Sequence, residues 1–568
     1  MAHRRILAQV LITFVAALAL NGCGEKAPAK PATQVTPDRP PEPKPVAQPI
    51  NILFAYGSEK EAWINEVTTA FNADLSKTVN GKKIIITAKP MGSGECIDDV
   101  LSGKIQAHIV SPASGAFIKL GNTESRVKTG KDLVPSTENL VVSPVVIAMW
   151  KPMAEAIGWG KKPVGWAEIF ALSRAKGGWA DYGKAQWGQF KFGHTHPQYS
   201  NSGLISIFAE TYAGASKMNG LTLDDLKRPE VIDFVKEIEH SVVHYGSSTG
   251  FFGKKMFSGG PEYLSAAVLY ENMVIEANAP NNNLPFPVVA LYPKEGTFWS
   301  DHPAGVVDRE WVSADHRAAA KLYLSYLLEL KQQEKALAYG FRPSTPEIKL
   351  AAPFDADHGV DPMQPQTTLE VPSPEVMNGI VKMWEASKKH SNIVLVVDVS
   401  GSMKIDGRLI HARSGAQALI DVLHDNDSVS LLAFDNRLMW ADRDISMKDG
   451  RTRIKDTINS LIPGGETALY DAVNAAYTHL ETNPQPGKIS AVVVLTDGED
   501  NKSRIPLDAL LAKLSPNEKT PIRVFTIAYG KGASKAVLKK IADTTQAKFY
   551  EGTTENIGTV FKDISTFF

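Results

Sequence analysis

The chain has 568 residues, 43% of them apolar and 22% charged, with a net charge of −1. Length leaves room for three or four domains at roughly 150 residues each, and the composition is that of folded globular domains with ample core. The near-zero charge provides no global field toward nucleic acid or an anionic membrane.

His3, Arg4 and Arg5 give a basic start, and Ile6 to Leu20 is an apolar run of 15 residues. That run is short for a membrane span and right for the apolar stretch of a signal peptide. It ends in Leu20-Asn21-Gly22-Cys23, which resembles the lipobox of bacterial lipoproteins. The resemblance implies a signal peptide over 1–22 and a lipidated Cys23. Gly24, where an Asp would signal retention, implies the outer membrane in a Gram-negative organism, or otherwise a periplasmic, extracytoplasmic position in the envelope. Gly24 to Pro49 holds eight prolines. It reads as an extended stalk over 23–49, reaching roughly 80 Å at about 3.1 Å per residue. With Cys23 acylated, Cys96 has no intrachain disulfide partner.

Residues 50–345 alternate strand and helix signals, which predicts a parallel sheet. Asn51 to Tyr56 is an apolar strand followed by Gly57-Ser58 and a helix from Glu59. Lys83 to Lys89 is a second strand, closed by Gly92-Ser93-Gly94. Ala107 to Val110 is a third, followed by Ser111-Pro112-Ala113-Ser114. Small hydroxyls thus recur where strands end and helices begin, the edge at which open α/β sheets bind ligands.

With Val141 to Trp150 as a crossing strand, Gly165 to Phe170, Ser200-Asn201-Ser202-Gly203, Ala267 to Asn272 and Gly340-Phe341-Arg342-Pro343, this stretch resembles type II periplasmic solute-binding proteins. The resemblance implies two α/β lobes with a small solute between them, an anion among the candidates. Hydroxyls and backbone N–H groups at helix starts suit such a ligand, although serine also caps helices without any ligand. The candidate ligand residues are Ser58, Ser93, Ser111, Thr195, Ser202 and Tyr270. His194 and His196 fit either ligand contacts or ordinary loop positions. His240 and His244, four apart on an expected helix, read as a solvated face, because no carboxylate completes a zinc pattern.

Residues 346–389, with prolines at 353, 362, 365, 372 and 374, read as a connector with a short helix over 376–387. From 390 the alternation resumes. Strands are predicted at 392–398, 428–434, 490–496, 522–527 and 547–550. Helices are predicted at 407–424, 449–460, 468–480, 504–514, 534–542 and 555–567. Strands apolar throughout, such as 491–495, predict helices on both sheet faces.

The first of these strands ends in Asp398-Val399-Ser400-Gly401-Ser402. Thr467 follows Pro463-Gly464-Gly465-Glu466, and strand 491–496 runs into Asp497. In a parallel sheet, two carboxylates and three hydroxyls then share one edge, an all-oxygen set suited to Mg²⁺. Asp398, Ser400, Ser402, Thr467 and Asp497 match in order the metal-ion-dependent adhesion site of the von Willebrand factor A (VWA) domain, which residues 390–568 resemble. The resemblance implies a doubly wound, Rossmann-like domain. Its hydroxyls would touch Mg²⁺ (or Mn²⁺ or Ca²⁺), its carboxylates would act largely through water, and an acidic side chain of a protein partner would complete the metal.

The expected molecule is an α/β, non-enzymatic, lipid-anchored binding protein with a solute cleft and a metal-dependent partner site. The alternative is the substrate-binding subunit of an ABC importer, whose permease the VWA domain docks. At the Asp398 site no Gly-x-Ser-x-Gly elbow or phosphate-binding GxxxxGK[ST] loop supports an enzyme.

Overall fold

A computed structural model describes residues 48–514, 522–530 and 532–568. The expected signal peptide, Cys23 and all but the end of the expected stalk lie outside them.

In lobe one, β1 (Ile50–Gly57) pairs in parallel with β2 (Lys82–Met91) and with β3 (Ile109–Ser111). Helix α1 (Ser93–Leu101) begins directly after β2. Cys96 on α1 is buried and free, its Sγ 3.5 Å from the Ala55 carbonyl, and burial pushes its thiol up to about 12. The chain then leaves lobe one through β4 (Val141–Trp150).

Lobe two is built on β4, whose far half pairs with the strands of this lobe. Its elements are β5 (Phe192–Thr195), α2 (Asn201–Ala215), α3 (Pro229–Glu239), β6 (Val242–Gly246), α4 (Thr249–Gly259), β7 (Ala266–Tyr270) and β8 (Val288–Leu291). The sheet order is β8-β4-β7-β5-β6. The near half of β4 pairs with Trp299–Ser300 and Arg342–Pro343. The chain returns to lobe one as β9 (Pro303–Val306), antiparallel to β3. One expectation fails here: His240 caps the end of α3, while His244 lies on buried strand β6. Val242 to Gly246 is held as a strand by parallel pairing with β5.

Residues 346–373 are largely irregular, as expected, but they are packed: Phe354, Val360 and Leu369 are buried with the lobe-two core. Helix α5 (Pro374–Ser387) starts at Ser373, whose hydroxyl accepts from the Val376 N–H, with Pro374 in the first turn. It buries Val376, Met377, Ile380 and Trp384 against lobe two.

The last domain has β10 (His390–Asp398) at its centre. The other elements used below are α6 (Arg408–Val422), β11 (Ser428–Phe434), β12 (Leu438–Ser446), α7 (Leu469–Thr482), β13 (Lys488–Thr496), β14 (Arg523–Tyr529), β15 (Phe549–Gly552) and α8 (Ile557–Ser565). The order is β12-β11-β10-β13-β14-β15, all parallel except β12. Alternate residues of one strand enter different cores. Val394 and Val396 pack with α7, whereas Ile393, Leu395 and Val397 join the cluster that contains α6 and α8. β12 escapes the sequence reading because it is a largely exposed edge carrying Arg443 and Asp444, charges that protect a sheet edge from further pairing.

That second cluster continues without a break into lobe two. Phe567 lies 5.8 Å from the His244 ring and 6.3 Å from Phe251, and its carbonyl accepts from the Tyr245 N–H. The Lys388 ammonium donates to the Phe568 carbonyl at 2.6 Å. Arg523 sits over Tyr263 and Lys548 over Phe251. Lys389, at the base of β10, donates to the Val242 carbonyl. Lobe two therefore holds the amino-terminal edge of this last sheet.

Candidate functional sites

At the opposite edge, β10 delivers Asp398, wholly buried, and the chain turns at once. The Ser400 N–H donates to Asp398 Oδ1 at 2.7 Å, fixing the carboxylate over the turn. Thr496, at the end of neighbouring β13, donates its hydroxyl to Asp398 Oδ2 at 2.5 Å. Ser400 Oγ and Ser402 Oγ lie 3.0 Å apart, and Ser402 donates to Asp497 Oδ1 at 2.6 Å. The loop bearing Thr467 is held by Gly465, whose carbonyl accepts from the Gly401 N–H. Gly465 has φ +79°, and a Cβ there would come within 2.6 Å of Asn436, so only glycine is free of strain. Thr467 Oγ1 stands 3.2 Å from where a Gly498 Cβ would be, with Ser402 Oγ on the same side at 3.9 Å. All five residues predicted for this site thus meet.

Burial pushes the Asp398 carboxyl up to about 6, against the hydrogen bonds from Thr496 and Ser400. Two carboxylates and three hydroxyls at a dry sheet edge could hold a hard divalent cation, since the donor set is all oxygen. Sequence reasoning missed two contributors. Arg408 at the start of α6 donates to Asp497 Oδ2 at 2.6 Å, and Asn501 accepts from the Thr467 N–H. Neither belongs to a linear pattern with its partner.

The residues predicted for the cleft are all buried or nearly so, and they fall into smaller groups. Thr195 and Ser202 hydroxyls are 2.8 Å apart, and Thr249 bonds Ser202 at 3.0 Å. Tyr270 OH accepts from Asn201 Nδ2, which also reaches Ser300. Ser58 of lobe one accepts from the Gly250 N–H of lobe two, spanning the lobes. Ser93 accepts from the Ala113 N–H within its own lobe. The helix starts are filled by protein acceptors. Gly94 N–H donates to the Tyr199 carbonyl, and Gly203 N–H to Thr195 Oγ1.

Several buried polar atoms in this layer have no hydrogen-bond partner among the described residues. They are Ser111 Oγ, Ser143 Oγ, Asn201 Oδ1, Asn272 Oδ1 and His302 Nε2. Such atoms are costly unless something meets them. The layer also contains a charge pair that sequence reasoning missed. Lys60, fully buried, donates to Glu59 Oε1 at 2.6 Å and lies 3.2 Å from His302 Nδ1. Burial works against the Glu59 carboxylate, yet Lys60 and His302 hold it at about 2. Burial, then Lys60, lower His302 and keep it neutral. The interlobe layer can therefore offer hydroxyl, amide and imidazole groups around a self-neutralised ion pair.

Two family models match the chain: bacterial extracellular solute-binding protein over 52–342, and von Willebrand factor type A domain over 392–563. Both are binding-type families. The chain is 29% identical over 156 residues to the uncharacterized protein sll0103 of Synechocystis sp., which covers 27% of this chain and 36% of that protein. It thus spans about a third of that relative's length. Among solved structures it is similar to a von Willebrand factor type A protein from Catenulispora acidiphila (TM-score 0.26, 21% identity, 32% of this chain and 42% of that one). It is also similar to a periplasmic thiamin binding protein (TM-score 0.43, 13% identity, 60% and 96%). Because the first family match takes in half of the sequence, this chain belongs to the bacterial extracellular solute-binding proteins, and it carries a von Willebrand factor type A domain behind the binding lobes.

Proposed function

We propose that this protein is a receptor of the bacterial cell envelope, anchored by a lipid on Cys23, that takes a small solute between its lobes and a protein partner at the Asp398 edge. The observation that carries the reading is the opposition of the two edges of the VWA sheet. Lobe two grips the amino-terminal edge through Lys389 and Arg523. Asp398 lies at the other end of β10, a nine-residue strand, roughly 27 Å away at about 3.3 Å per residue. The hydroxyls of Ser400, Ser402 and Thr467 and the carboxylates of Asp398 and Asp497 are therefore turned away from the domain's own support.

In this reading Asp398 and Asp497 neutralise most of the charge of a bound Mg²⁺, which supplies an open position for an Asp or Glu of the partner. Ser402 holds Asp497 in place, and Thr496 holds Asp398. In the cleft, Ser111, Ser143, Asn201, Asn272 and His302 are the groups left to meet a solute, with Tyr270 and Ser202 positioned beside them.

The test is capture of envelope proteins on residues 48–568 with Mg²⁺, with EDTA, and with Asp398→Ala. The expected result is a partner retained only by the unaltered chain with metal. A permease retained regardless of metal would instead make the chain the solute-capturing subunit of an importer.

A further inference from the structure

His194, Glu210 and Glu239 form a second cluster, distinct from the Asp398 edge and wholly buried inside lobe two. They come from three elements: His194 from β5, Glu210 from α2, and Glu239 from the last position of α3. One ligand atom from each lies within 4.8 Å of the others.

The hydrogen bonds fix most of the protons. His194 Nδ1 is 2.7 Å from the Thr195 carbonyl. A carbonyl only accepts, so Nδ1 carries a hydrogen, and a neutral ring presents its lone pair at Nε2. That backbone contact is the arrangement that orients metal-bound histidines. His194 Nε2 faces Glu239 Oε1 at 2.8 Å, and the other Glu239 oxygen accepts from the Tyr245 hydroxyl at 2.7 Å. Ser206 donates to Glu210 Oε1, while Glu210 Oε2 is buried with no donor among the described residues, and Glu210 meets the Glu239 carboxylate only through a shared proton. Among the described residues the ion-pair partner of Glu239 is His194 itself, and the buried Lys388 and Lys389 act on Glu239 from farther off. Two carboxylates and an imidazole lone pair in an apolar core demand positive charge, and either protons or a cation must supply it.

We propose that His194, Glu210 and Glu239 bind a first-row divalent transition cation of the Zn²⁺ class. One nitrogen and two carboxylates suit that class better than Mg²⁺. Ligand distances of about 2.0–2.2 Å place donor atoms roughly 3.3 Å apart in a tetrahedral site, so the His194–Glu239 pair opens by about half an ångström on binding. The orphaned Glu210 oxygen gains its partner in the same step. Such a cation would tie β5, α2 and α3 together directly behind Thr195. It would also stiffen the ground beneath Tyr245 and Trp384, whose rings meet at 5.4 Å beside the docked VWA domain.

The experiment uses residues 48–568 carrying Asp398→Ala, which silences the other metal edge. After chelation and desalting, ZnCl₂ is added, and bound metal and melting temperature are measured. The expected result is one Zn²⁺ per chain and a melting temperature about 5 °C higher, since a ligand held only by the folded state stabilises it. Adding Glu210→Gln should abolish both, while Ser206→Ala retains the metal. Glutamine mimics a protonated glutamate in shape and charge, so this variant keeps the fold if the cluster merely shares protons. Zinc binding unchanged by Glu210→Gln, or no zinc bound by the Asp398→Ala chain, would overturn the proposal. Co²⁺ in the unaltered chain gives a variant-free readout. Strong visible absorption marks a low-coordinate nitrogen–oxygen site, and only weak absorption, as from octahedral oxygen ligation, counts against it.

Discussion

The Asp398 edge and the interlobe layer are made of the same material, serines and threonines where parallel strands end, yet they are organised differently. At the Asp398 edge the hydroxyls bond one another and two carboxylates, and the donors converge. Between the lobes the hydroxyls are divided among helix starts and neighbouring side chains, and the atoms left over belong to different residues from several strands. A site for a small hard cation needs its oxygen ligands gathered in one place. A site for an organic or polyatomic solute needs groups spread over its surface, with the rest of the lobe contact satisfied by protein. The difference teaches that hydroxyl density alone does not mark a site, and that the convergence of hydroxyls on two carboxylates sets the Asp398 edge apart.

The comparison breaks most visibly at Asp398. Asp398→Ala should weaken Mg²⁺ binding about 100-fold or more, because it removes a carboxylate whose supporting groups alone are worth 10–100-fold; calorimetric titration checks it. In the cleft, Gly203→Val should cost about 3 kcal/mol or more in denaturant melts, since a Cβ at Gly203 would lie 1.8 Å from the Thr195 carbonyl. Arg408→Gln sharpens the contrast in the other direction. It removes a cation from Asp497 and should tighten Mg²⁺ about tenfold, a competition with no counterpart in the cleft. The solute layer would be the odd one out if Ser111→Ala cost as much stability as Ser93→Ala. Ser93→Ala strips the Ala113 N–H of its acceptor and should cost about 1 kcal/mol, whereas Ser111→Ala removes an orphan and should be neutral or mildly stabilising.

A pH test addresses the support that both sites share. Burial, and then Arg523, depress His244 to about 3. A depressed histidine contributes stability that is present above its ordinary value near 6.5 and is lost as pH falls from there toward 3. The melting temperature should therefore drop between pH 7 and pH 4, and His244→Gln, which cannot titrate, should flatten that slope.

What could be read from sequence follows the same division. The Asp398, Ser400 and Ser402 positions sit on one turn, so their chemistry is visible in five letters, and Thr467 and Asp497 fall at the ends of a loop and a strand that their flanks announce. Arg408 was invisible because its partner Asp497 is 89 residues away. Ser58, Thr195, Ser202 and Tyr270 were legible as strand or helix ends. Glu59, Lys60 and His302 were not, since nothing local tells a buried lysine from a solvated one; only the return of the chain 242 residues later closes the pair. The edge strand Leu438–Ser446 was lost because edge protection looks like loop polarity. The packing of residues 346–373 was lost because proline-rich irregular chain can still bury Phe354, Val360 and Leu369.

The seating of the VWA sheet on lobe two also has a mechanical side. β10 is flanked on both sides by parallel neighbours paired along nearly its whole length. A load applied at Asp398 and resisted at Lys389 runs along this strand, so it shears every rung of two hydrogen-bond ladders at once instead of unzipping them singly. On the proposed reading, the domain is oriented to bear tension between a partner at Asp398 and the lobes that carry it.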